Sequence, residues 1–556
     1  MDEFRNKQPR GPTGPNNSID GFARPRHSPH SQNPQGPGAN RPQRPARVDD
    51  FSGAEGFTTR SSQRNIQAAR PRQTDEEPLL ISKHPAPHYK RGFFGLGRKK
   101  LQGAAAKSRK SWSRRKKVTV GFGVLFFIIL MIVGFLVLKG YININKILGG
   151  GGGAAALEKN VDPSKLKGEG DGRVNILMLG KGGEGHEGAD LMDTIILASI
   201  DPIQKEASLV SIPRDMYVPV SGYGSMKINA VYATGKSASL SKSKKQNDDT
   251  RKQADEAGYQ LMEETVEKNL GVPVHYRSVI DFNGFKQAVD TVGGVDINAP
   301  TAVKETMRID GKTYNLDVKP GQQHMDGFKA LAYSRSRYTS ARGDFDRSER
   351  QRLILVALKQ KVTSAGTYSN PVKIAGLLDN LGNHVSTNFN TQDLSRLYEL
   401  GKEIGNNKIS SIGLADPPNN YVTTSNIDGQ SVVIPRAGVG NYKEIQSYLR
   451  NVLKDSFIRN ENAAIAVLNG TSTPGLAATK AEELKSYGYN ISVVANAPTK
   501  NYPKTIIVDL RSGSKKYTKN YLEKRFGVSA VNSLSDPSIQ PGTADFVIIL
   551  GSDQAR

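Results

Sequence analysis

The chain has 556 residues, a formal charge of +24 and no cysteine, which excludes a disulfide framework, thiolate metal sites and thiol catalysis and suits an exported protein that folds without disulfides. Its length allows two or three domains, but an apolar fraction of 37% implies that a sizeable part stays unfolded.

Residues 1–117 are that part. They are rich in Pro, Gly, Gln, Asn and Arg and hold 25 Lys and Arg against 9 Asp and Glu, about +16 of the total. So little apolar surface cannot offset chain entropy, and a disordered basic tail is expected. Its natural partner is the anionic leaflet of a membrane, with no nucleic acid expected.

Residues 118–138 carry no charge, and 16 of these 21 are Val, Leu, Ile or Phe. At about 1.5 Å per residue they span roughly 30 Å, the thickness of a bilayer core, and their side chains favour insertion by about 5 to 10 kcal/mol. Seven cations precede the run within fifteen residues, whereas only Lys139 and Lys146 follow within fifteen. The excess of positive charge on one side predicts a single-pass protein of the cell membrane, with a cytoplasmic N-terminus and residues 140–556 outside. A cleaved signal peptide fits less well, because the run is too long and starts too deep in the chain.

Residues 139–171 read as a glycine-rich linker, with Gly149–Gly153 a flexible tether and order beginning near Arg173. Next come apolar runs at 174–179, 194–200 and 207–212 that predict buried strands of one sheet. Helical spacing follows at 254–270, closed by Gly271 and Pro273, and at 282–292, closed by Gly293 and Gly294. Residues 236–253, almost without apolar side chains, read as a surface insertion or frayed helix. After Arg347 an amphipathic helix should reach about Val362, burying Leu353, Ile354, Ala357 and Leu358. This mixed order suggests an α/β sandwich. A second, compact α/β unit starts near Ala463, with strands at 464–468, 491–495, 505–509 and 545–550 and helices at 475–487 and 516–526.

Three motifs can be set aside. Gly180-Lys-Gly182-Gly-Glu-Gly185 matches a dinucleotide fingerprint, yet only eight residues separate Gly185 from the next strand, too few for a crossover helix. His186, His275, His324 and His384 show no metal-ligand spacing, and no Gly-x-Ser-x-Gly elbow occurs. What survives is an arginine frame: Arg214 in Ser211-Ile-Pro-Arg-Asp215, Arg335 and Arg337 in Tyr333-Ser-Arg-Ser-Arg, and Arg347 with Gln351 in Asp344-Phe-Asp-Arg-Ser-Glu-Arg-Gln. Forked guanidinium donors in such density suit pyrophosphate or other clustered oxyanions. Arg335 and Arg337, two apart in an expected extended segment, should share a face, as should Arg347 and Gln351, four apart on a helix. Singly, each arginine is more often a surface charge paired with Asp344, Asp346 or Glu349 than a ligand-binding group.

In combination with Asn175-Ile-Leu-Met-Leu-Gly180, Asp193-Thr194, Lys227-Ile-Asn-Ala230, Asp281-Phe-Asn-Gly-Phe285, Val292-Gly-Gly-Val295 and Gly327-Phe-Lys-Ala-Leu331, this frame resembles the LytR-CpsA-Psr family over residues 172–455. Residues 462–552, with Val467-Leu-Asn-Gly470 and Gly475-Leu-Ala477, are similar to the LytR C-terminal domain. The resemblance implies a mixed-sheet α-β-α sandwich. It implies a bacterial phosphotransferase that moves a glycopolymer, teichoic-acid-like or capsule-like, from a polyprenyl pyrophosphate carrier to peptidoglycan through a phosphodiester. Arg214, Arg335, Arg337, Arg347 and Gln351 fall on the family's pyrophosphate-binding positions. Asp193 and Asp344 fall on carboxylate positions tied to Mg2+, or another divalent cation, and to orienting the arginines. Two positions depart from the pattern: Lys181 stands where many members have aspartate, and Leu191-Met192 where many have Arg-Ser. The first removes a carboxylate from the implied metal site, which Asp190 or Glu184 would replace if their loop folded inward. Competing readings are a binding module that captures lipid-linked phosphate without turnover, and a pyrophosphatase acting on the carrier. A transcriptional regulator fits poorly, since the only basic stretch on the inner side lacks a folded reader.

Overall fold

The computed structural model describes residues 148–555 apart from 187, 246, 310, 338–339, 365–380 and 383. The expected tail and membrane span lie outside the described residues, among which no helix is long and apolar enough to cross a membrane.

The centre is a six-stranded mixed sheet. Strands β1 (Val174–Lys181), β2 (Met192–Asp201) and β3 (Glu206–Ser211) form an antiparallel meander. A small hairpin, β4 (Tyr217–Val220) with β5 (Gly224–Lys227), leads to helices α1 (Val231–Lys242) and α2 (Asp248–Leu270). Strand β6 (Tyr276–Asp281) then returns parallel to β1, consistent with a helical crossover between parallel strands. Alternate residues of β1 and β2 enter separate cores. Leu177, Leu179, Ile195 and Leu197 pack with Tyr232, Met262 and Val266 of α1 and α2, whereas Ile176, Ile196 and Ala198 face the opposite layer. This burial on both faces accounts for the unbroken apolar runs.

The 236–253 stretch lies at the surface, as expected, but is part of two regular helices, α1 and α2, that form a close helical hairpin. A Cβ on Gly235 would lie 2.9 Å from the Gly258 Cα, and one on Gly258 would lie 2.6 Å from the Tyr232 carbonyl oxygen. Two bare backbones therefore meet where longer side chains would hold the helices apart, and Asn247 with Thr250 supplies a capping box for α2.

Helix α3 (Phe282–Thr291) follows β6, and strands β7 (Val295–Ala299), β8 (Val303–Ile309), β9 (Lys312–Val318) and β10 (Gly321–Met325) form two antiparallel pairs, β7 with β10 and β8 with β9. Helices α4 (Gly327–Arg335) and α5 (Asp344–Thr363) share a core with them around Tyr333, Ile354 and Ala357. Strand β11 (Val385–Thr387) joins the sheet beside β6. After α6 (Thr391–Glu403), β12 (Ile409–Gly413) joins it beside β3, giving the order β11-β6-β1-β2-β3-β12. The hairpin β13 (Val422–Ile427) with β14 (Gln430–Pro435), then α7 (Lys443–Val452) and α8 (Ser456–Glu461), complete this part.

Beyond it β15 (Ala464–Asn469), α9 (Leu476–Ser486), β16 (Asn490–Asn496), β17 (Ile506–Asp509), α10 (Lys516–Phe526) and β18 (Phe546–Leu550) build the second α/β unit, sheet order β16-β15-β18-β17. Each expected element is present within a residue or two.

The glycine run is not a tether. Gly149, Gly150 and Gly152 donate backbone hydrogen bonds to the carbonyls of Thr387, Phe389 and Asn388 at 2.7, 3.3 and 3.0 Å, and Gly153 donates to His275 at 3.2 Å. A Cβ on Gly152 would sit 2.6 Å from the Tyr276 ring, so the absence of side chains is what lets this strap lie against the sheet edge. Order thus begins well before Arg173. Downstream, Ala156, Leu157 and Leu166 enter one continuous core with Ile176 and Ile196 of the main sheet and Phe457, Ile465 and Phe546 of the C-terminal part. At the junction the buried Asp455 carboxylate accepts bonds from Gly170, Gly172, Phe457 and Ile458 amides and from the Tyr521 hydroxyl, the last at 3.0 Å.

Candidate functional site

Four elements deliver functional side chains to one end of the sheet. Asp193 is the second residue of β2, and Arg214 follows β3 in a turn closed by the Met216 amide on the Pro213 carbonyl. Asp344 and Arg347 lie in the first turn of α5, entered through Gly343 at φ 53°, a left-handed conformation that favours glycine. Arg337 lies just past α4.

These residues converge. Arg214 donates to Asp193 Oδ1 at 2.8 Å and its Nε lies 3.4 Å from Asp344 Oδ2. Arg347 donates to the Asp193 carbonyl at 3.1 Å and to Asp344 Oδ1 at 3.3 Å. Arg337 approaches Asp344 Oδ2 at 3.6 Å. Two carboxylates thus hold three guanidinium groups in a fixed lattice, with Asp215 also near Arg214 at 3.5 Å and bonded to Lys227 at 2.9 Å. Burial works against the charge on Arg214, but Asp344 and Asp193 outweigh it and raise its pKa. Burial likewise opposes ionisation of Asp344, yet Arg214, Arg347 and Arg337 prevail and hold it below the ordinary carboxylate value. Arg347 is 5% exposed, its pKa lowered by burial, and its Nε has no hydrogen-bond partner among the described residues.

The other two expected residues are placed differently. Arg335 is the last residue of α4, not part of an extended segment. The chain turns at Ser336, so the alternation expected for Arg335 and Arg337 does not apply. The Arg335 guanidinium instead lies 4.6 Å from the ring centroid of Phe282, which also makes a T-shaped contact with the His186 ring. Gln351 shares α5 with Arg347, and its amide nitrogen donates to the Ser334 carbonyl at 3.3 Å, supporting the end of α4.

Arg350 was legible as part of the frame but not in its role. Buried on α5, it donates to the Tyr333 carbonyl at 3.1 Å, to the Ser336 carbonyl and to the Ser340 hydroxyl at 2.9 Å. It therefore caps carbonyls at the end of α4, an orphan position in any helix. Arg352, on the same helix, is also buried. It reaches the hydroxyls of Ser211 and Ser411 and binds Asp416 at 2.6 Å, tying α5 to β3 and β12.

The donor set suits a hard cation only in company. Asp193 and Asp344 are oxygen ligands of the kind magnesium prefers, but guanidinium groups already hold both, and no group of three or more His, Cys, Asp or Glu gathers among the described residues. Asp193 and Asp344 would hold magnesium only with a ligand supplying the remaining oxygens. The Lys181 ammonium donates to the Tyr232 hydroxyl at 3.5 Å and lies 4.0 Å from Asp190. Asp190 is held more closely by Lys236, at 3.0 Å, and so is already engaged by cations, while Glu184 is exposed.

Comparison with known proteins bears on this geometry. The model of the LytR_cpsA_psr family matches residues 144–441, and one described as LytR cell envelope-related transcriptional attenuator matches residues 462–553. The chain is 27% identical over 351 residues to the cell wall biosynthesis protein LcpA of Corynebacterium glutamicum, covering 60% of this chain and 65% of that one. It is 32% identical over 225 residues to the polyisoprenyl-teichoic acid–peptidoglycan teichoic acid transferase TagV of Bacillus subtilis, covering 40% and 51%. The chain thus spans about half to just under two thirds of these relatives. The crystal structure of B. subtilis TagV aligns at 28% identity with a TM-score of 0.39, over 50% of this chain and 97% of that one.

Proposed function

The chain belongs to the LytR_cpsA_psr family, whose model covers more than half of it, and on that premise we propose that it is a phosphotransferase attaching a polyprenyl-pyrophosphate-linked glycopolymer to peptidoglycan. The observation that carries the proposal is the lattice of Arg214, Arg337 and Arg347 around Asp193 and Asp344. The activity named for the B. subtilis relative supports it.

Phosphoryl transfer depends mainly on positioning and on stabilising charge at the equatorial and leaving oxygens. Arg214 and Arg337, both partly exposed, offer N–H donors to the pyrophosphate, and Arg335 extends the same cationic wall over Phe282. An acceptor hydroxyl oxygen attacks the phosphorus that bears the glycan. The bond from that phosphorus to the bridging oxygen breaks, polyprenyl phosphate leaves, and the hydroxyl proton is released. Asp344, held ionised by its arginines, is a weak base and serves to orient them. Magnesium or another divalent cation, held by Asp193 and Asp344 together with phosphate oxygens, would supply Lewis acidity. The apolar run at 118–138 supports anchoring in the cell membrane, with the N-terminus cytoplasmic and the folded part outside.

The full-length protein in lipid vesicles with magnesium, a radiolabelled polyprenyl pyrophosphate oligosaccharide and peptidoglycan fragments should move label into peptidoglycan. Arg214→Ala should reduce transfer at least about a hundredfold, as expected for loss of a charge-stabilising donor. Release of phosphate alone would favour a pyrophosphatase, and carrier binding without turnover a binding module.

A further inference from the structure

Arg337 reaches the lattice from a chain segment held by something outside the arginine frame. Glu305, half-buried on β8, accepts the Ser336 hydroxyl at 2.6 Å and the Arg337 backbone amide at 2.9 Å, both on Oε2. Ser336 is fully buried, its amide bonded to the Ala332 carbonyl at 3.1 Å and its own carbonyl taken by Arg350. The residue between Arg335 and Arg337 is thus fixed on every polar atom it has: by the helix behind it, by Arg350 at its carbonyl and by Glu305 at its hydroxyl. Glu305 alone of these contacts comes from the β8–β9 hairpin.

We propose that Glu305 is a positioning residue for the pyrophosphate site, setting the exit of the chain from α4 so that Arg337 points at Asp344 and at the substrate. The inference rests on the reading of the site given above. A charged acceptor makes shorter and stronger bonds than a neutral one, and here both bonds converge on the two residues where helix gives way to the functional loop. Without Glu305 the Arg337 amide and the buried Ser336 hydroxyl lose their acceptor, and the segment can turn toward solvent to find another. Arg337 would then sample many directions, and its contribution to binding would be lost to the cost of ordering it again.

The test is binding of geranylgeranyl pyrophosphate to the full-length protein by titration calorimetry. Glu305→Ala should weaken binding about tenfold, the size expected for losing one charge-assisted contact. Glu305→Gln should stay within about threefold of the parent, because one amide oxygen can accept both bonds. Because Glu305 acts through Arg337, Glu305→Ala should add nothing in an Arg337→Ala background. Unchanged affinity in Glu305→Ala, full additivity with Arg337→Ala, or failure of Glu305→Gln to restore binding would each overturn the proposal. If Glu305→Ala does not fold, Ser336→Ala asks the same question: weakened binding that disappears in the Arg337→Ala background supports it, and unchanged binding overturns it. No binding by the parent protein would instead overturn the reading of the site, and this inference with it.

Discussion

Three arginines on one helix, Arg347, Arg350 and Arg352, are buried, and each has a different task. Arg347 joins two carboxylates, Arg350 caps the neighbouring helix, and Arg352 pins α5 to the sheet through Asp416. Removing one partner of a buried ion pair leaves the other uncompensated, so Arg352→Ala should destabilise the fold by about 3 to 5 kcal/mol in chemical denaturation. Asp344 gives a pH prediction. Its folded pKa lies below the ordinary 3.8, so its stabilising contribution is complete above that value and is lost as pH falls through the lowered one. The stability difference between the parent and Asp344→Asn should therefore be constant from about pH 5 to 8 and shrink only in stronger acid, as read from denaturation carried on below that range. At this scale the sequence grouped Arg214, Arg337 and Arg347, which the fold brings together, and was silent about how they are held. An arginine in a helical pattern reads as solvent-facing, because its burial depends on partners such as Asp416 and Ser411 that lie some sixty residues away. Glu305 carries no motif at all, and only the turn at Ser336 brings it to the site.

Secondary structure was more legible because its signals are local. The C-terminal elements follow from apolar runs and from glycines such as Gly527, which ends α10 in a left-handed conformation. The α1–α2 hairpin was missed because a polar, lysine-rich surface hid two contact glycines, and the stretch 335–337 was read as extended because no local signal marks Arg335 as the end of α4. Gly258→Val should expose the cost of that contact. With the Tyr232 carbonyl 2.6 Å from the new Cβ, the helices must separate, and a loss of about 1 to 3 kcal/mol is expected by thermal or chemical unfolding. Glycine signals are ambiguous in sequence for a physical reason. A run such as Gly149–Gly153 has the greatest freedom when unbound and also the closest approach when docked, and only the Tyr276 ring and the Thr387 carbonyl decide between them.

The molecule as described is held together across its two α/β parts. One apolar core runs from Ile176 through the strap residues Ala156 and Leu157 to Phe546, and Glu461 of α8 caps α10 by accepting the Tyr517 and Thr518 amides at 3.0 and 2.7 Å. Asp455, fully buried with its pKa raised by burial, joins the two sides by accepting four amides from the first part and the Tyr521 hydroxyl from the C-terminal part. Asp455→Ala should therefore cost about 2 to 4 kcal/mol and split a single calorimetric transition into two, since it strands several buried donors at once. A single unchanged transition would show that the parts are joined elsewhere.

The docked glycine strap also sets a working distance. On the proposed topology the membrane segment ends at Leu138, and the chain is already bound to the sheet edge at Gly149. The intervening stretch can extend at most about 40 Å. On the proposed topology and activity, the sheet edge at β11 would stay within that reach of the bilayer, the lipid-linked donor would arrive by diffusion in its plane, and the acceptor would have to approach the membrane. Newly made wall close to the membrane would be served first, and older, outlying layers would lie out of range.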